Sequence, residues 1–368
     1  SFLIYKRITI YIMHNIFKAL SLFSCSLVAF ACSDWTDAEA VQMTKYSNTE
    51  IAKKETYYQA LRDWKATKHS ISFGWFGGWS NPGASTTNML AGLPDSMDVV
   101  SLWDNSTNLS EGQKKDLEFV QKVKGTKVLF CSFTSYVGQH ATPKEHDIDE
   151  ATRNKFWGWE DGDTKKQEEA VRKYANAIVD TLNKYNYDGF DIDFEPNYGY
   201  GGKLASNNDL MHVFITELAK SIGPKSPHPE KLLLVDGEPQ TLNAETAPYI
   251  SYYVIQAYFA KEGNLDGRLQ TGINKFKSVM TEEEITNRYV MTENLESAID
   301  CLNGGYPFST RDGRSTPYRS LEGFARWQPT NGYMKGGFGA YHIDGEAVNT
   351  PAYKYLRRAI QAQNPAVR

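Results

Sequence analysis

Short apolar runs alternate with amphipathic stretches along most of this sequence, and this alternation most constrains the fold that the chain can adopt. Eight runs have the length of single strands: 69–76, 97–103, 127–133, 187–194, 232–235, 252–258, 288–292 and 337–343. Several are continuously apolar, as parallel strands buried on both faces are. Stretches with helical periodicity lie between them, at about 112–124, 164–185, 207–222, 265–279 and 351–363. The pattern predicts an α/β fold, a closed (β/α)8 TIM barrel, with a doubly wound open sheet as the alternative.

The barrel is predicted to be a single domain over residues 66–368 without a large insertion. The segment 293–335, between the last two runs, is too short for a further domain, and there is no internal repeat or low-complexity linker. Residues 33–65 are predicted to form a polar tether and a helix that begins near residue 49. The formal net charge of −4 and the lack of a basic stretch exclude nucleic acid as a partner.

Residues 1–32 are predicted to be a secretory signal peptide. Lys18 precedes an apolar run at 19–31 that is too short to span a bilayer as a permanent helix. Met13 is the expected start, which makes residues 1–12 upstream sequence. Cys32 resembles the modified cysteine of bacterial lipoproteins, and the acidic residues that follow it resemble surface-sorting signals. We expect a lipid on Cys32 and an outer-membrane lipoprotein at the cell surface. A plainly cleaved signal, giving a secreted or periplasmic protein, is the alternative.

The other cysteines do not suggest a disulfide framework. Beyond Cys25, which lies in the signal, and Cys32, only Cys131 and Cys301 remain, and both adjoin apolar segments. We expect buried free thiols rather than a disulfide. No cysteine and histidine cluster has ligand spacing, so no structural zinc site is predicted.

The fourth apolar run contains closely spaced carboxylates. Because alternate side chains of a strand share a face, Asp191, Asp193 and Glu195 are expected to point together into the barrel. Grouped carboxylates repel each other and are costly to desolvate, and aliphatic side chains would fill this space better. The arrangement therefore indicates a function. A cation site or a solvated strand edge is the alternative, although no histidine accompanies the acids.

Repulsion within this group favours acid catalysis. It raises the proton affinity of the members, so that one carboxyl group can stay protonated near neutral pH. Glu195 lies farthest toward the carboxyl end of the strand, where barrel enzymes place their chemistry. Glu195 is thus predicted to protonate a leaving-group oxygen.

The acids also match a family motif. Asp188, Asp191, Asp193 and Glu195 have the Asp-x-x-Asp-x-Asp-x-Glu spacing of the fourth barrel strand in glycoside hydrolase family 18, which the chain resembles from about residue 66 onward. The resemblance is greatest to endo-β-N-acetylglucosaminidases and related surface lipoproteins of glycan-foraging bacteria. It implies hydrolysis with retention, in which the substrate's own 2-acetamido oxygen attacks the anomeric carbon. It implies no cofactor and no metal ion.

The resemblance also implies a role for each acid. Glu195 would protonate the glycosidic oxygen, and Asp193 would orient the acetamide and stabilise the cyclic intermediate. Asp191 would share a proton with Asp193, and the pair would titrate as a unit. The side chain of Asp188 is expected on the opposite face of the strand from the other three acids, and Asp188 would support the strand. Tyr258 matches a family tyrosine that hydrogen-bonds the acetamide carbonyl.

The sixth run ends in Gln256-x-Tyr258, a form similar to that of the endoglycosidases. Chitinases have an aspartate after this tyrosine, where the present chain has Phe259. They also favour Ser-x-Gly-Gly on the third strand, where this chain has Ser132-Phe-Thr-Ser135. Both departures weaken a chitinase assignment. Ordinary barrel lining is the alternative for Gln256 and Tyr258.

Aromatic residues after several strands are predicted to stack on sugar rings. Packing between a strand and a helix is the alternative for each tryptophan. Trp327 and His342 are weaker candidates, and His342 is not predicted to be catalytic. The predicted substrate-binding residues are Gln256, Trp75, Trp103, Asp188 and Tyr198.

These features predict an endo-β-N-acetylglucosaminidase that hydrolyses the GlcNAc-β1,4-GlcNAc core of N-linked glycans. The short segment 293–335 has no room for the subdomain that gives chitinases a deep tunnel, and an open groove suits a branched glycan. The expected partners are an N-linked or other GlcNAc-containing glycan, the membrane through the lipid anchor only, and other outer-membrane glycan-uptake proteins. A chitinase, or a surface glycan-binding lipoprotein without catalysis, is the alternative.

Overall fold

The computed structural model describes residues 55–80, 86–104 and 106–365. The chain divides into two units, Ser1–Ala60 and Leu61–Arg368. In the first unit, residues 55–60 are described and form the start of helix α1 (Glu55–Lys65). The predicted signal peptide, Cys32 and the tether lie outside the described residues.

The second unit contains eight parallel strands that close into a barrel. In chain order they are β1 (Ile71–Phe76), β2 (Val99–Leu102), β3 (Lys127–Phe133), β4 (Gly189–Phe194), β5 (Leu232–Gly237), β6 (Tyr252–Gln256), β7 (Tyr289–Asn294) and β10 (Gly337–Tyr341). Strand β10 pairs with both β7 and β1 and so closes the ring. The closed barrel confirms the (β/α)8 prediction and excludes the open sheet. Each strand lies in a predicted run, but β5 and β7 continue two residues past the predicted ends.

Helices surround the barrel, and those at 111–119, 164–185, 208–218, 262–276 and 354–363 lie where the periodicity predicts helices, whereas the other four are not predicted. They are α2 (Glu111–Phe119), α3 (Glu150–Trp157), α4 (Thr164–Tyr185), α5 (Asn208–Leu218), α6 (Glu262–Phe276), α7 (Glu282–Thr286), α8 (Ala298–Asn303), α9 (Ser320–Arg326) and α10 (Lys354–Gln363). The Asp163 side chain caps α4 by accepting a hydrogen bond from the backbone N–H of Lys166. Within the described part of the chain, no helix is long and apolar enough to cross a membrane.

The connection between β7 and β10 is small. It holds α8, the antiparallel strands β8 (Pro307–Ser309) and β9 (Ser315–Arg319), and α9. The sequence pattern does not predict this hairpin, because β9 is largely polar. The connection contains no inserted domain, in agreement with the predicted single barrel.

Two apolar layers hold the strands in place. The barrel interior contains Ile71, Phe73, Trp75, Val99, Leu129, Cys131, Leu234, Val254 and Val290. On the outer face of β4, Phe190, Ile192 and Phe194 are fully buried in the layer beneath the helices. This burial fixes the rotation of β4, so that the residues between them point into the barrel. As predicted, Cys131 and Cys301 are buried free thiols.

Gly189 allows β4 to approach β5 closely. A Cβ atom at this position would lie 2.1 Å from the carbonyl oxygen of Leu232, a backbone atom that has little freedom to move. A larger residue would therefore shift the start of the acidic strand relative to β5.

Candidate active site

Strand β4 brings its acidic residues together at the carboxyl end of the barrel. Asp191 is fully buried. Asp193 and Glu195 are partly buried where the barrel opens, and Glu195 directly follows the strand. The three carboxylates thus form a series that runs from the barrel interior to its mouth.

Two hydrogen-bond donors hold Asp191. The indole Nε1 of Trp75 donates to Asp191 Oδ2 over 3.0 Å, and the hydroxyl of Ser101 donates to the same oxygen over 2.6 Å. Both donors favour the ionised carboxylate, but burial outweighs them and raises the pKa of Asp191 to about 6. Neither donor is part of the acidic motif.

Asp193 and Glu195 both have a raised affinity for protons. Burial raises the pKa of Asp193 well above its usual range, and the charges of Glu195 and Asp191 add to the effect. Burial also raises the pKa of Glu195, helped by the charge of Glu238 and opposed by a hydrogen bond from Gln256. One of these carboxyl groups can therefore hold a proton near neutral pH, as a general acid must.

Asp236 on β5 is a fourth acid, which the sequence pattern missed. It is 1% exposed and lies opposite Asp193 in the pairing of β4 with β5. Burial, followed by the charges of Asp193 and Asp191, raises the pKa of Asp236 well above its usual range. The only sequence signal for Asp236 is its position directly after the run 232–235. Because the strand was predicted to end with this run, Asp236 was not counted as part of the strand.

Gln256, at the end of β6, links two of the acids. Its amide Nε2 donates to Glu195 Oε1 over 2.5 Å and to Asp236 Oδ1 over 3.2 Å. These contacts fix the position of the Glu195 carboxyl group. Gln256 therefore belongs to the acidic site rather than to plain barrel lining.

Tyr258 and Tyr341 line the opening beside the acids. Their ring centroids lie 6.5 Å apart in a stacked arrangement. Burial, followed by the charges of Asp236 and Glu195, raises the pKa of Tyr258, so its hydroxyl stays protonated and available as a donor. Tyr341, at the end of β10, was not predicted as a site residue.

Glu238 holds the loop that follows the acidic strand. Its two carboxylate oxygens accept hydrogen bonds from the backbone N–H and the side-chain amide of Asn197, over 2.8 and 3.1 Å. Gly237 leaves room for this arrangement, because a Cβ atom there would lie 2.9 Å from Cγ of Glu195. Gly237 also has a φ of +83°, which favours glycine.

Two predicted aromatic residues lie exposed at the mouth of the barrel. Trp103 is 38% exposed, and its ring contacts Tyr341 and His342. Tyr198, in the loop after Glu195, is 66% exposed. Both rings are accessible to a ligand in the opening.

Two other predicted substrate-binding residues have different surroundings. Trp75 is 3% exposed and hydrogen-bonds Asp191, so it is buried beneath the site rather than displayed for stacking. Asp188 precedes β4 and accepts hydrogen bonds from Gln121 Nε2 and from the backbone N–H of Val128. Seven residues of extended chain, about 20 Å, separate it from Glu195. Asp188 therefore supports the amino end of the strand, away from the opening, and its role in substrate binding stays a prediction.

The two weaker candidates, Trp327 and His342, lie in different surroundings. Trp327 is 1% exposed, and its indole Nε1 donates to Asp266, which makes it a packing residue. His342 contacts the rings of Trp103 and Tyr341 near the opening.

Two groups in the described part of the chain have the geometry to hold a cation. The candidate ligand atoms of Cys131, Asp191 and Asp236 lie within 4.8 Å of one another, and so do those of Asp193, Glu195 and Asp236. The carboxylates of both groups suit hard cations, the first group adds the Cys131 thiol, and neither group contains a histidine. The expectation of a metal-free site stays a prediction.

The family model for glycoside hydrolase family 18, BT1044-like, matches residues 36–362. The chain therefore belongs to glycoside hydrolase family 18. Among solved structures, a selenomethionine form of a BT1044 variant is 32% identical with a TM-score of 0.73, and the match covers 84% of this chain and 93% of that chain.

Other similar proteins are endoglycosidases by name. The endo-β-N-acetylglucosaminidase of Cordyceps militaris, solved in its apo form, is 25% identical with a TM-score of 0.57, over 84% of this chain and 95% of that one. The endo-β-N-acetylglucosaminidase EndoS of Streptococcus pyogenes serotype M1 is 28% identical over 214 residues, which is 52% of this chain. The match spans only 21% of EndoS itself.

Proposed function

We propose that this chain is an endo-β-N-acetylglucosaminidase that hydrolyses the GlcNAc-β1,4-GlcNAc core of N-linked glycans with retention. The observation that carries the proposal is the placement of Glu195, held by Gln256, beside Asp193 and Tyr258 at the mouth of the barrel. The names of EndoS and of the Cordyceps enzyme support the same activity.

In the first step, Glu195 acts as the general acid. Its carboxyl proton passes to the glycosidic oxygen as the bond from this oxygen to the anomeric carbon breaks. The acetamide oxygen of the same sugar forms a bond to the anomeric carbon from the other face, giving an oxazolinium ion. Asp193 accepts a hydrogen bond from the acetamide N–H, and the Tyr258 hydroxyl donates one to the acetamide oxygen.

In the second step, the Glu195 carboxylate acts as a base. It takes a proton from a water molecule as the water oxygen attacks the anomeric carbon, and the bond to the acetamide oxygen breaks. Two displacements at one carbon give net retention. The raised pKa of Glu195, caused chiefly by burial, keeps the acid form available at the start of each cycle.

The decisive variant is Glu195→Gln, which keeps the size of the side chain but has no proton to transfer. We expect kcat for release of glycan from a denatured high-mannose glycoprotein to fall by at least about 10²-fold, while glycan binding persists. Glu283→Gln is the matched control, because Glu283 is exposed in α7, at the amino end of the barrel. Full activity of Glu195→Gln, measured by mass spectrometry of released glycans, would refute the proposal.

A second comparison separates the alternatives. The wild-type protein should release N-glycans faster than it cleaves chitin oligomers, because the described connection between β7 and β10 has no subdomain to build a tunnel. Faster cleavage of chitin oligomers would indicate a chitinase. Binding of both ligands with hydrolysis of neither would indicate a glycan-binding lipoprotein.

We also propose that Cys32 carries a lipid that anchors the protein in the outer membrane, where glycan-uptake proteins would take its products. The apolar run before Cys32 and the acidic residues after it support this proposal. Labelling with a fatty-acid analogue should be lost in Cys32→Ser, and retention of the label would refute the anchor.

A further inference from the structure

Asp236 is shared by the two groups of acidic side chains in the barrel. One group is Cys131, Asp191 and Asp236, deep in the interior, and the other is Asp193, Glu195 and Asp236, toward the mouth; each has its ligand atoms within 4.8 Å. A carboxylate oxygen of Asp236 thus lies within 4.8 Å of one of Asp191 in the first group and of one of Asp193 in the second. Asp236 therefore connects the buried acid to the acid that faces the substrate.

Only some of the carboxylate oxygens in these two groups accept a hydrogen bond. Asp191 Oδ2 accepts from Trp75 and Ser101, and Asp236 Oδ1 accepts from Gln256. The remaining buried oxygens, Asp191 Oδ1, Asp193 Oδ1 and Asp236 Oδ2, receive no hydrogen bond from an N–H or hydroxyl donor of the described residues. Leaving such oxygens unsatisfied is costly, and a proton shared between two carboxylates satisfies one oxygen of each.

Asp236 is better suited than its neighbours to carry this proton. The Oδ2 atom of Asp191 already accepts hydrogen bonds from two donors, and these favour the ionised form of Asp191. Asp193 must face the substrate as an acceptor. The Cys131 thiol lies beside them, but burial and the nearby carboxylates raise its pKa, so it keeps its own proton.

We propose that Asp236 is a positioning residue for the hydrolysis, which holds a proton between Asp191 and Asp193 and keeps Asp193 anionic while the oxazolinium ion exists. This inference rests on the proposed function. In the free site Asp236 and Asp193 share the proton. When the acetamide N–H contacts Asp193, the O–H bond at Asp193 breaks and one forms at Asp236, whose hydroxyl then donates to Asp191. The number of protons is unchanged, and no other reactant is needed.

The test is Asp236→Asn in the full chain, assayed on a defined N-glycan substrate across pH. We expect kcat to fall by at least about tenfold with little change in KM, because the amide keeps the shape but cannot exchange a proton with Asp193. The alkaline limb of the kcat/KM profile should move to lower pH. The reason is that the asparagine amide donates hydrogen bonds to the neighbouring carboxylates and never ionises itself, which favours their ionised forms and lowers their pKa values.

Infrared spectroscopy gives a readout that does not depend on hydrolysis. The wild-type protein should show a protonated-carboxyl band at neutral pH that weakens in Asp236→Asn. Asp236→Glu keeps a titrating carboxyl group, so it should retain the band and the position of the alkaline limb. It also covers the case in which the asparagine variant does not fold.

The matched control is Asp116→Asn, which replaces another buried carboxylate. Asp116 accepts hydrogen bonds from Trp79 and from the backbone of Leu90 outside the site. Loss of the Asp116 carboxylate should lower the free energy of unfolding without moving the pH profile of kcat/KM.

Three outcomes are decisive. A pH profile of Asp236→Asn parallel to the wild-type profile, with the infrared band intact, would overturn the inference. Loss of activity on chelation that Ca²⁺ or Mg²⁺ restores would also overturn it, because a cation would then take the place of the proton. A wild-type protein that hydrolyses no glycan would refute the proposed function, while the infrared comparison would still decide whether Asp236 carries the proton.

Discussion

The indole of Trp75 influences the charge of an acid that lies 116 positions away in the sequence. Its N–H and the Ser101 hydroxyl donate to one oxygen of Asp191, and both stabilise the carboxylate. Without them, burial would raise the pKa of Asp191 beyond about 6. At the scale of single residues, the charge state of the site thus depends on β1 and β2 as well as on the acidic strand.

Trp75→Phe removes this donor and keeps an aromatic ring. We expect the pKa of Asp191 to rise, kcat to fall by about tenfold, and the free energy of unfolding to fall by about 1–3 kcal/mol, because a buried acceptor loses one partner. Activity assays and thermal unfolding measure these effects. Trp79→Phe is the control, since Trp79 makes the same contact with Asp116 outside the site. An equal loss of activity in both variants would contradict a specific role for Trp75.

At the scale of elements, the sequence could predict the acids of β4 but not those of its neighbours. Asp191 and Asp193 alternate with apolar residues inside one run, and that spacing alone places them on one face. Asp236 and Glu293 lie just past the apolar runs on β5 and β7, so they resembled loop residues. Residue spacing also carries no information on which strands face each other across a barrel. This is why the contact between Trp75, predicted as a substrate-binding residue, and Asp191 was not foreseen.

Glu293 shows how β7 holds the loop that follows β6. Its Oε1 accepts hydrogen bonds from the backbone N–H groups of Phe259 and Asn294, both over 2.8 Å. Phe259 has a φ of +60°, in the left-handed region that a side chain of its size rarely adopts. Its ring is 52% exposed and lies 4.3 Å from that of Tyr306. The buried carboxylate therefore holds the loop that places the Phe259 ring 6.4 Å from the Tyr258 ring, between centroids.

Glu293→Ala should release this loop. We expect the free energy of unfolding to fall by about 2 kcal/mol or more, because two backbone donors lose a charged acceptor, and KM to rise as Phe259 becomes mobile. Chemical denaturation and steady-state kinetics test this expectation. Phe259→Gly is the companion variant, since glycine adopts this backbone without strain and should raise KM with little loss of stability. A Glu293→Ala protein as stable as the wild type would show that the contact does not hold the loop.

At the scale of the whole molecule, buried carboxyl groups link stability to pH. Burial raises the pKa of Glu346, which accepts hydrogen bonds from the backbone of Tyr355 and Leu356, to about 7, and that of Asp191 to about 6. Burial also raises the pKa of Glu293. At these three groups the folded protein therefore binds more protons than the unfolded chain between about pH 4 and pH 7. The stability from these groups is complete below their unfolded pKa values and is lost as the pH rises through the folded ones.

The melting temperature should therefore fall between pH 5 and pH 7, in contrast to a protein whose carboxylates are mostly paired with cations. Glu346 contributes up to about 3 kcal/mol to the accompanying decrease in the free energy of unfolding, which is the free energy that corresponds to its shift in pKa. Glu346→Gln should flatten the slope, because the amide mimics the protonated carboxyl group and does not titrate. Lys335 has the opposite effect on stability. Burial lowers its pKa to about 7, so the contribution of Lys335 to the free energy of unfolding grows as the pH rises above that value. Calorimetry between pH 5 and pH 7 avoids most of this effect. Equal slopes for the wild type and Glu346→Gln would mean that Glu346 titrates alike in the folded and unfolded states.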